Sequence, residues 1–409
     1  MTDTRLAGAD FMRCAACLTV LFHHLAQRMS WDHDLGWMEW FRPFADMGTF
    51  GVAMFFVLSG FLLARPFWLA LDRREPMPSL KTYAARRAAR ILPGFWAALL
   101  VSFLLSITVF GAALDWQLVL RLLAGFLAVA DWHWLTFFPV EVNGPLWSIS
   151  FEITSYVLLP AMFALLFFAA RFSGAGWQSR LLWIGAIGLA VLAHWLFARY
   201  YRVDAHQRGW DYGLVGGAKF WMPRYNPLGF FAMFAIGALA SGFQMRWSGY
   251  RNWLFDLVAI VAICWGLQRI GVQLDSRDGQ SWGWLGIPYG FPWFVLAVGL
   301  FLAASPSSVL VGRLLDNPPA RYIARISFGI YIWHYPVLEL VRIWLDPLID
   351  HGSSPEPLRF LTTSLIVTAI SIVAAHLSWV LLEEPVIRWA RRRERRRPTQ
   401  GSELPAAVS

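Results

Sequence analysis

Two adjacent histidines in an apolar run are candidates for proton transfer. His23 and His24 follow Asp10 and Arg13 in the first apolar segment. Arg13 and His24 are eleven residues apart, which is about 16 Å along a helix. A neutral imidazole accepts a proton near neutral pH and costs less to bury than a carboxylate. Neighbouring helical residues point about 100° apart, so at most one of the two histidines can face a shared site.

Three arginines mark the start of the third apolar run. Arg86, Arg87 and Arg90 occur in the sequence YAARRAARILPGFW. Because Arg87 and Arg90 are three residues apart, they share one face of a helix. Guanidinium groups match phosphate oxygens in geometry and charge. The cluster therefore predicts either a site for a phosphate-bearing co-substrate or an anchor that orients the helix in a membrane.

A carboxylate and a phenol share a helical face in the fourth long run. Glu152 and Tyr156 are four residues apart and follow Trp147 in the sequence PLWSISFEITSY. Ionisable side chains within a membrane are costly, so their first interpretation is functional. The alternative is a structural carboxyl group paired with an arginine.

Two motifs near the C-terminus add further polar groups. His334 lies in the sequence SFGIYIWHYP, three residues after Tyr331. Pro336 deprives the carbonyl oxygen of Ile332 of its helical partner and can kink the helix. Glu383 ends the last apolar run. For each histidine, the alternative to a catalytic role is a hydrogen bond to a neighbouring helix.

The composition around these groups is that of a membrane protein. Of the 409 residues, 57% are hydrophobic and 15% are charged, whereas soluble domains carry about 25% charged residues. The net charge of +9 comes almost entirely from arginines between apolar runs. This placement indicates that the arginines orient the protein in the membrane, and we expect no nucleic-acid partner. No Walker loop, dinucleotide fingerprint or zinc spacing occurs, so we expect no metal.

The apolar runs predict an all-α transmembrane bundle with ten spans. These runs cover residues 12–29, 48–66, 92–111, 147–169, 181–198, 227–245, 253–270, 291–306, 326–345 and 360–382. When both termini are cytoplasmic, the arginine-rich loops lie on the cytoplasmic side, as the positive-inside rule requires. Residues 1–390 form one predicted transmembrane domain, and residues 391–409 form a basic, disordered tail.

A weaker apolar stretch at 116–130 breaks this alternation if it crosses the membrane. It is flanked by Asp115 and Asp131, and it contains Gln117 and Arg121. We therefore predict an additional helix that does not span the bilayer and lies on its outer side.

Together these motifs resemble those of the acyltransferase 3 family of bacterial integral-membrane O-acyltransferases. The resemblance covers nearly the whole chain. Its pieces occur in family order: the D-x-x-R…H pattern of the first run, GVAMFFVLSGFLL (51–63), RRAARILPGFW (86–96), PLWSISFEITSYVLLP (145–160), SFGIYIWHYPV (327–337) and the terminal E-x-P (383–385).

The resemblance implies roles for individual residues. The family's first-span histidine falls on His24, with His23 kept as an alternative, and its R-x-x-R element falls on Arg87 and Arg90 as an acyl-CoA contact. Its W…E element falls on Trp147 and Glu152, and we expect Glu152 to be a catalytic residue that positions or polarises the histidine or the acceptor. Ser59 of the FFVLSGF motif is a further candidate, although on physical grounds its small neighbour Gly60 indicates only close helix packing.

The expected function is acyl transfer at the inner cell membrane. Acetyl-CoA, or a longer acyl-CoA, would donate the acyl group from the cytoplasm. A hydroxyl of a polysaccharide, lipopolysaccharide or glycolipid would accept it, with the histidine removing the proton or becoming transiently acylated. Alternatives are acylation of a secondary metabolite such as a macrolide, a transporter, and a non-catalytic scaffold. The sequence leaves the acceptor and the oligomeric state open.

Overall fold

The computed structural model describes residues 6–28, 48–170, 176–274, 282–345 and 356–395. The chain in these ranges is helical and contains no β-strand. Its helices are α1 (Ala9–Arg28), α2 (Gly51–Asp72), α3 (Leu80–Thr108), α4 (Trp116–Phe126), α5 (Trp147–Ala169), α6 (Trp177–Tyr200), α7 (Gly213–Trp221), α8 (Pro227–Gln244), α9 (Trp253–Leu274), α10 (Trp293–Ala304), α11 (Val311–Leu315), α12 (Pro318–Leu345), α13 (Glu356–Ser378) and α14 (Glu384–Arg395).

Seven helical segments of the described chain are long and apolar enough to cross a membrane. They are Gly48–Asp72, Leu80–Thr108, Gly144–Ala169, Trp177–Tyr200, Pro227–Trp247, Trp253–Val272 and Phe360–Glu394. The other three predicted spans correspond to α1, α10 and α12. Helix α10 has only 12 residues, and α1 and α12 carry the polar residues discussed below. The all-α architecture is thus confirmed, whereas the number of crossings and the side of the termini stay predictions.

Helix α4 occupies the stretch that was predicted not to span. It has 11 residues, or about 17 Å of helix, and the hydrocarbon core of a bilayer is about 30 Å thick. The helix ends at Phe126, earlier than the predicted limit of 130, and is too short to cross by itself. The short helices α7 and α11 were not predicted.

The C-terminal helix modifies the predicted boundary of the tail. Helix α14 runs to Arg395, so residues 391–395 of the predicted basic tail are helical. The remainder of that tail, residues 396–409, lies outside the described residues.

Helices α2 and α8 cross with their backbones in close contact at the centre of the bundle. A Cβ atom on Gly60 would collide with the backbone oxygen of Phe234, and one on Gly237 would collide with the backbone oxygen of Val57. Only glycine permits this approach, which explains the small residue beside Ser59. The close crossing fixes the position of Ser59 within the bundle.

The helices that carry the candidate residues converge on one side of this crossing. Helix α1 packs against both α2 and α12, while α3 and α5 contact each other and also approach α2 or α12. The polar faces of these helices consequently meet inside the bundle. Exposure of their polar side chains to lipid would be costly.

Candidate active site

A small cavity lies where α1, α2, α3, α5 and α12 meet. Its volume is about 100 Å³. Each of the five helices contributes a candidate residue to its wall: Arg13 from α1, Ser59 from α2, Arg87 and Arg90 from α3, Glu152 and Tyr156 from α5, and Tyr331 from α12. Residues predicted from separate motifs therefore share one site.

Glu152 provides a carboxylate to this cavity, and its Oε1 atom accepts two hydrogen bonds. The hydroxyl of Ser59 donates from α2 at 2.8 Å, and the hydroxyl of Tyr156 donates from the next turn of α5 at 2.5 Å. The second bond confirms that residues four apart lie on one helical face. Tyr83 donates in turn to the backbone oxygen of Tyr156 at 3.1 Å. These contacts hold the carboxylate between α2 and α5.

Three guanidinium groups reach the cavity, whose wall also carries the carboxylate of Glu152. Arg87 and Arg90 reach it from one face of α3, as their spacing predicted, and Arg13 reaches it from α1. The guanidinium of Arg90 lies over the ring of Trp379 at 4.9 Å and is 3.8 Å from the carboxylate of Glu383. Such a cluster is suited to phosphate oxygens.

Glu383 acts on the cavity through Arg90. It is fully buried, at the end of a π-helical turn (Trp379–Glu383) that joins α13 to α14. The hydroxyl of Ser378 donates to its Oε1 atom at 3.4 Å. A buried carboxylate needs a nearby cation, and Arg90 supplies one. The acidic residue that ends the last apolar run therefore serves to orient an arginine of the cavity.

The structure separates Arg86 from Arg87 and Arg90. Its guanidinium bonds to both carboxylate oxygens of Glu394 on α14, at 3.0 and 2.6 Å. The side chain is 56% exposed and lines a groove between α3 and α14 instead of the cavity. Adjacent helical residues point in different directions, so the grouping of Arg86 with the cofactor-binding arginines is not supported by the geometry.

His24 and His334 were predicted from opposite ends of the chain, and they form a hydrogen-bonded pair. The Nε2 atom of His334 lies 3.0 Å from Nδ1 of His24, and Nδ1 of His334 lies 3.0 Å from the carbonyl oxygen of Ile330. A carbonyl only accepts, so Nδ1 of His334 carries a hydrogen. With both rings neutral, His24 donates through Nδ1 to His334. Nε2 of His24 is then the basic nitrogen.

The histidine pair lies one helical turn beyond the cavity. Tyr331, which lines the cavity, precedes His334 by three residues on α12, and their ring centres are 6.0 Å apart. On α1, Arg13 lies in the cavity wall and His24 lies about 16 Å further along the helix. The cavity and the pair are thus successive layers along the same two helices.

His23 has different surroundings from His24. Its ring centre is 5.2 Å from that of His24, and the two ring planes are inclined by 62°. The Cβ atom of His23 packs closely against Gly48. Of the two adjacent histidines, His24 is the one hydrogen-bonded to His334.

Two further predicted residues lie beside the cavity and not in its wall. Trp147 stacks on Phe137 with ring centres 5.4 Å apart, in a buried aromatic cluster that supports the start of α5. Asp10 lies 3.7 Å from Arg13 on α1, where its carboxylate pairs with the guanidinium of that cavity arginine.

Asn143 is a buried site residue that the sequence analysis did not single out. Its amide nitrogen donates to the carbonyl oxygen of Ile332 at 2.9 Å and to the hydroxyl of Ser102 at 3.1 Å. The Ile332 carbonyl is the one that Pro336 leaves without a helical partner. That orphan acceptor required a donor from elsewhere, which was the available signal. The bond ties the segment before α5 to the part of α12 that carries His334.

Ser148 was also missed. Its hydroxyl lies in the cavity wall, 2.5 Å from the hydroxyl of Tyr331, and Tyr331 donates to the backbone oxygen of Pro145 at 3.0 Å. A single serine in an apolar run has no spacing that distinguishes it.

Within the described residues, no group of three His, Cys, Asp or Glu side chains is placed to hold a metal ion.

Comparison with known proteins gives a matching family model and several similar relatives. The family model described as "Acyltransferase domain" (acyltransferase 3) matches residues 6–381. Peptidoglycan O-acetyltransferase OatA of Listeria monocytogenes is 25% identical over 402 residues, covering 92% of this chain and 55% of the relative. O-acetyltransferase OatA of Staphylococcus aureus is 22% identical, with 93% and 57% covered. Nodulation protein 10 of Rhizobium leguminosarum bv. viciae is 23% identical, with 93% and 92% covered.

The matched region contains every element of the cavity wall and the histidine pair. The helical bundle and its enclosed polar site define an integral-membrane acyltransferase. The chain belongs to the acyltransferase 3 family. It spans little more than half the length of the two OatA relatives.

Proposed function

We propose that this protein transfers an acetyl group from cytoplasmic acetyl-CoA to a hydroxyl of a carbohydrate on the outer side of the inner cell membrane. The observation that carries the proposal is the succession of layers along α1 and α12. An arginine-lined cavity lies nearer the first turns of α1, and a hydrogen-bonded histidine pair lies one turn beyond it. The name of the Listeria relative, peptidoglycan O-acetyltransferase, supports a carbohydrate acceptor.

The proposed topology has ten crossings with both termini in the cytoplasm. It adds α1, α10 and α12 to the seven helical segments that meet the length and composition of a span. The arginine-rich connection between α2 and α3 then faces the cytoplasm, in agreement with the positive-inside rule. In this orientation the arginine end of the cavity faces the compartment that holds acetyl-CoA, and the histidine pair is nearer the outer surface.

The arginines of the cavity wall would bind the phosphates that join the nucleotide of acetyl-CoA to its pantetheine arm. Arg87 and Arg90 present guanidinium groups from one helical face, and Arg13 faces them from α1. The cavity of about 100 Å³ is far smaller than a typical ligand pocket of about 300–1,000 Å³. It therefore suits the thin pantetheine arm, while the nucleotide part stays at the cytoplasmic entrance.

The histidine pair would supply the base. Nε2 of His24 takes the proton from the acceptor hydroxyl, and that oxygen forms a bond to the thioester carbonyl carbon. The carbon–sulfur bond then breaks, and the proton passes from His24 to the departing thiolate. The products are the acetyl ester and CoA with a free thiol. His334 holds the tautomer that makes this possible, because its Nε2 accepts the Nδ1 hydrogen of His24.

Transfer by the purified protein tests the proposal. Protein in detergent micelles is given radiolabelled acetyl-CoA and surface glycans extracted from cells that lack the gene. We expect alkali-labile label in the carbohydrate fraction and one free thiol for each acetyl group transferred, with protein-free micelles as the control. Binding of acetyl-CoA or glycan without thiol release would instead favour a transporter, and the proposal would fail.

The hydrogen bond between the two histidines gives a separate prediction. His334→Leu should lower kcat with little change in either KM, because His24 loses the acceptor that selects its tautomer. His334→Gln should restore a large part of kcat, because an amide oxygen can accept the same hydrogen. Steady-state kinetics of both variants decide the point. Equal losses in the leucine and glutamine variants would show that His334 only fills space.

A further inference from the structure

A second, larger pocket lies on the other side of the histidine pair. It is formed by the start of α4, the segment that precedes α5 and the last turns of α12, and its volume is about 490 Å³. This falls within the usual range for small-molecule sites. Its polar side chains are Asp115, Gln117, Arg121, Glu141, Tyr335 and Glu339.

This outer pocket shares a wall with His24. Tyr335 lines the pocket, and its ring meets that of His24 edge to face, with centres 5.1 Å apart and planes inclined by 87°. Tyr335 is itself 5% exposed. Glu339 follows one turn later on α12, on the same face. A molecule in the pocket is therefore separated from the proposed base by a single aromatic ring.

The pocket is organised around a buried arginine. Arg121 belongs to the short helix α4, yet its side chain is only 4% exposed. Its Nε atom donates to the backbone oxygen of Phe138 at 2.6 Å, and Nη1 donates to Glu141. Its Nη2 atom is buried and has no hydrogen-bond partner in the described part of the chain. The bonds of Nε and Nη1 hold the guanidinium in the pocket wall, beside the carboxylate of Glu141.

We infer that this outer pocket binds the sugar unit next to the one that receives the acetyl group, and that it selects neutral or amino sugars over acidic ones. The assignment rests on the acetyl transfer proposed above. Ionised carboxylates only accept hydrogen bonds, so Asp115 and Glu339 suit the hydroxyl donors of a sugar. Arg121, the arginine of the pocket wall, is paired with Glu141. Glu339 is paired with Arg342, which lies three residues later on α12 and outside the wall. Asp115 is the third carboxylate of the pocket, and no ion pair matches it among the described residues. An acidic sugar would meet its negative charge, which is unfavourable.

Binding of defined oligosaccharides to the full chain in detergent tests the inference. Chitotetraose and maltotetraose serve as neutral probes, tetragalacturonic acid serves as the acidic probe, and calorimetry gives each Kd. At least one neutral probe should bind at least about 10-fold more tightly than the acidic probe, a difference equivalent to about one charged hydrogen bond. If no neutral probe binds, or if the acidic probe binds equally well, the inference is overturned.

Variants of the pocket wall locate the binding. Gln117→Ala and Glu339→Gln should each raise the Kd of the neutral probe by roughly 10-fold, with the Kd of acetyl-CoA unchanged. Leu120→Ala is the matched control, because Leu120 is exposed on the same helix and lies outside the pocket wall. Unchanged sugar binding in the Gln117 and Glu339 variants removes the pocket assignment. Sugar binding without any acetyl transfer would instead remove the proposed function and leave the pocket.

Discussion

Replacing His24 with alanine is expected to lower kcat for acetyl transfer by about 10²–10⁴-fold, the usual contribution of a well-placed general base. The hydrogen bonds of the pair leave Nε2 of His24 as the nitrogen that can take a proton. Without it, the acceptor hydroxyl must attack the thioester while still protonated. The measurement is kcat of the purified variant at saturating acetyl-CoA, together with its amount in the membrane, which should match that of the parent protein.

His23→Ala is the matched control for this experiment. It removes the same type of side chain one position earlier, where the histidine packs against Gly48 and is not the partner hydrogen-bonded to His334. This variant should keep most of the parent kcat. If His24→Ala retains near-parent transfer, or if His23→Ala loses as much as His24→Ala, the assignment of the base is wrong.

The second large effect concerns the donor. Arg87→Ala should raise the KM for acetyl-CoA by roughly 10- to 150-fold, because a hydrogen bond to a charged group contributes about 1.5–3 kcal/mol. The KM for the acceptor should stay the same, since Arg87 lies in the cavity on the far side of the histidine pair. Varying each substrate at a fixed concentration of the other separates the two effects.

Arg86→Ala is the matched control for the loss of one positive charge from this cluster. Arg86 is exposed and paired with Glu394, so its removal should change the KM for acetyl-CoA by at most about fivefold, the range for a surface ion pair. A similar rise in KM for Arg86→Ala and Arg87→Ala would return the whole cluster to the role of a membrane anchor.

Much of the helical fold was predictable, because apolar runs of spanning length have few alternatives in a membrane. Helix α5 begins and ends at the predicted residues 147 and 169. Helix α12 begins at Pro318, eight residues before its predicted start at 326, because its first turns carry arginines and lack the apolar signal. The short helices α7, α11 and α14 were missed because none of them is a long apolar run.

The candidate site was predictable wherever its members belong to one helix. The hydrogen bond between Glu152 and Tyr156 follows from a four-residue spacing, and the shared face of Arg87 and Arg90 follows from a three-residue spacing. Spacing did not reveal that Arg86 turns away, because that depends on the position of α14. The donor to the Ile332 carbonyl was likewise out of reach, because Asn143 approaches it from another segment.

The amino-acid sequence alone determined that this chain is a bundle of membrane helices and which costly polar residues those helices carry, because both follow from local composition and helical period. Only the tertiary structure decided which of those residues meet. His24 lies 310 residues from His334 in the chain, and Arg90 is almost as far from Glu383. Such pairs depend on which helix faces lie against each other. Interhelical packing sets that choice, and no local pattern records it.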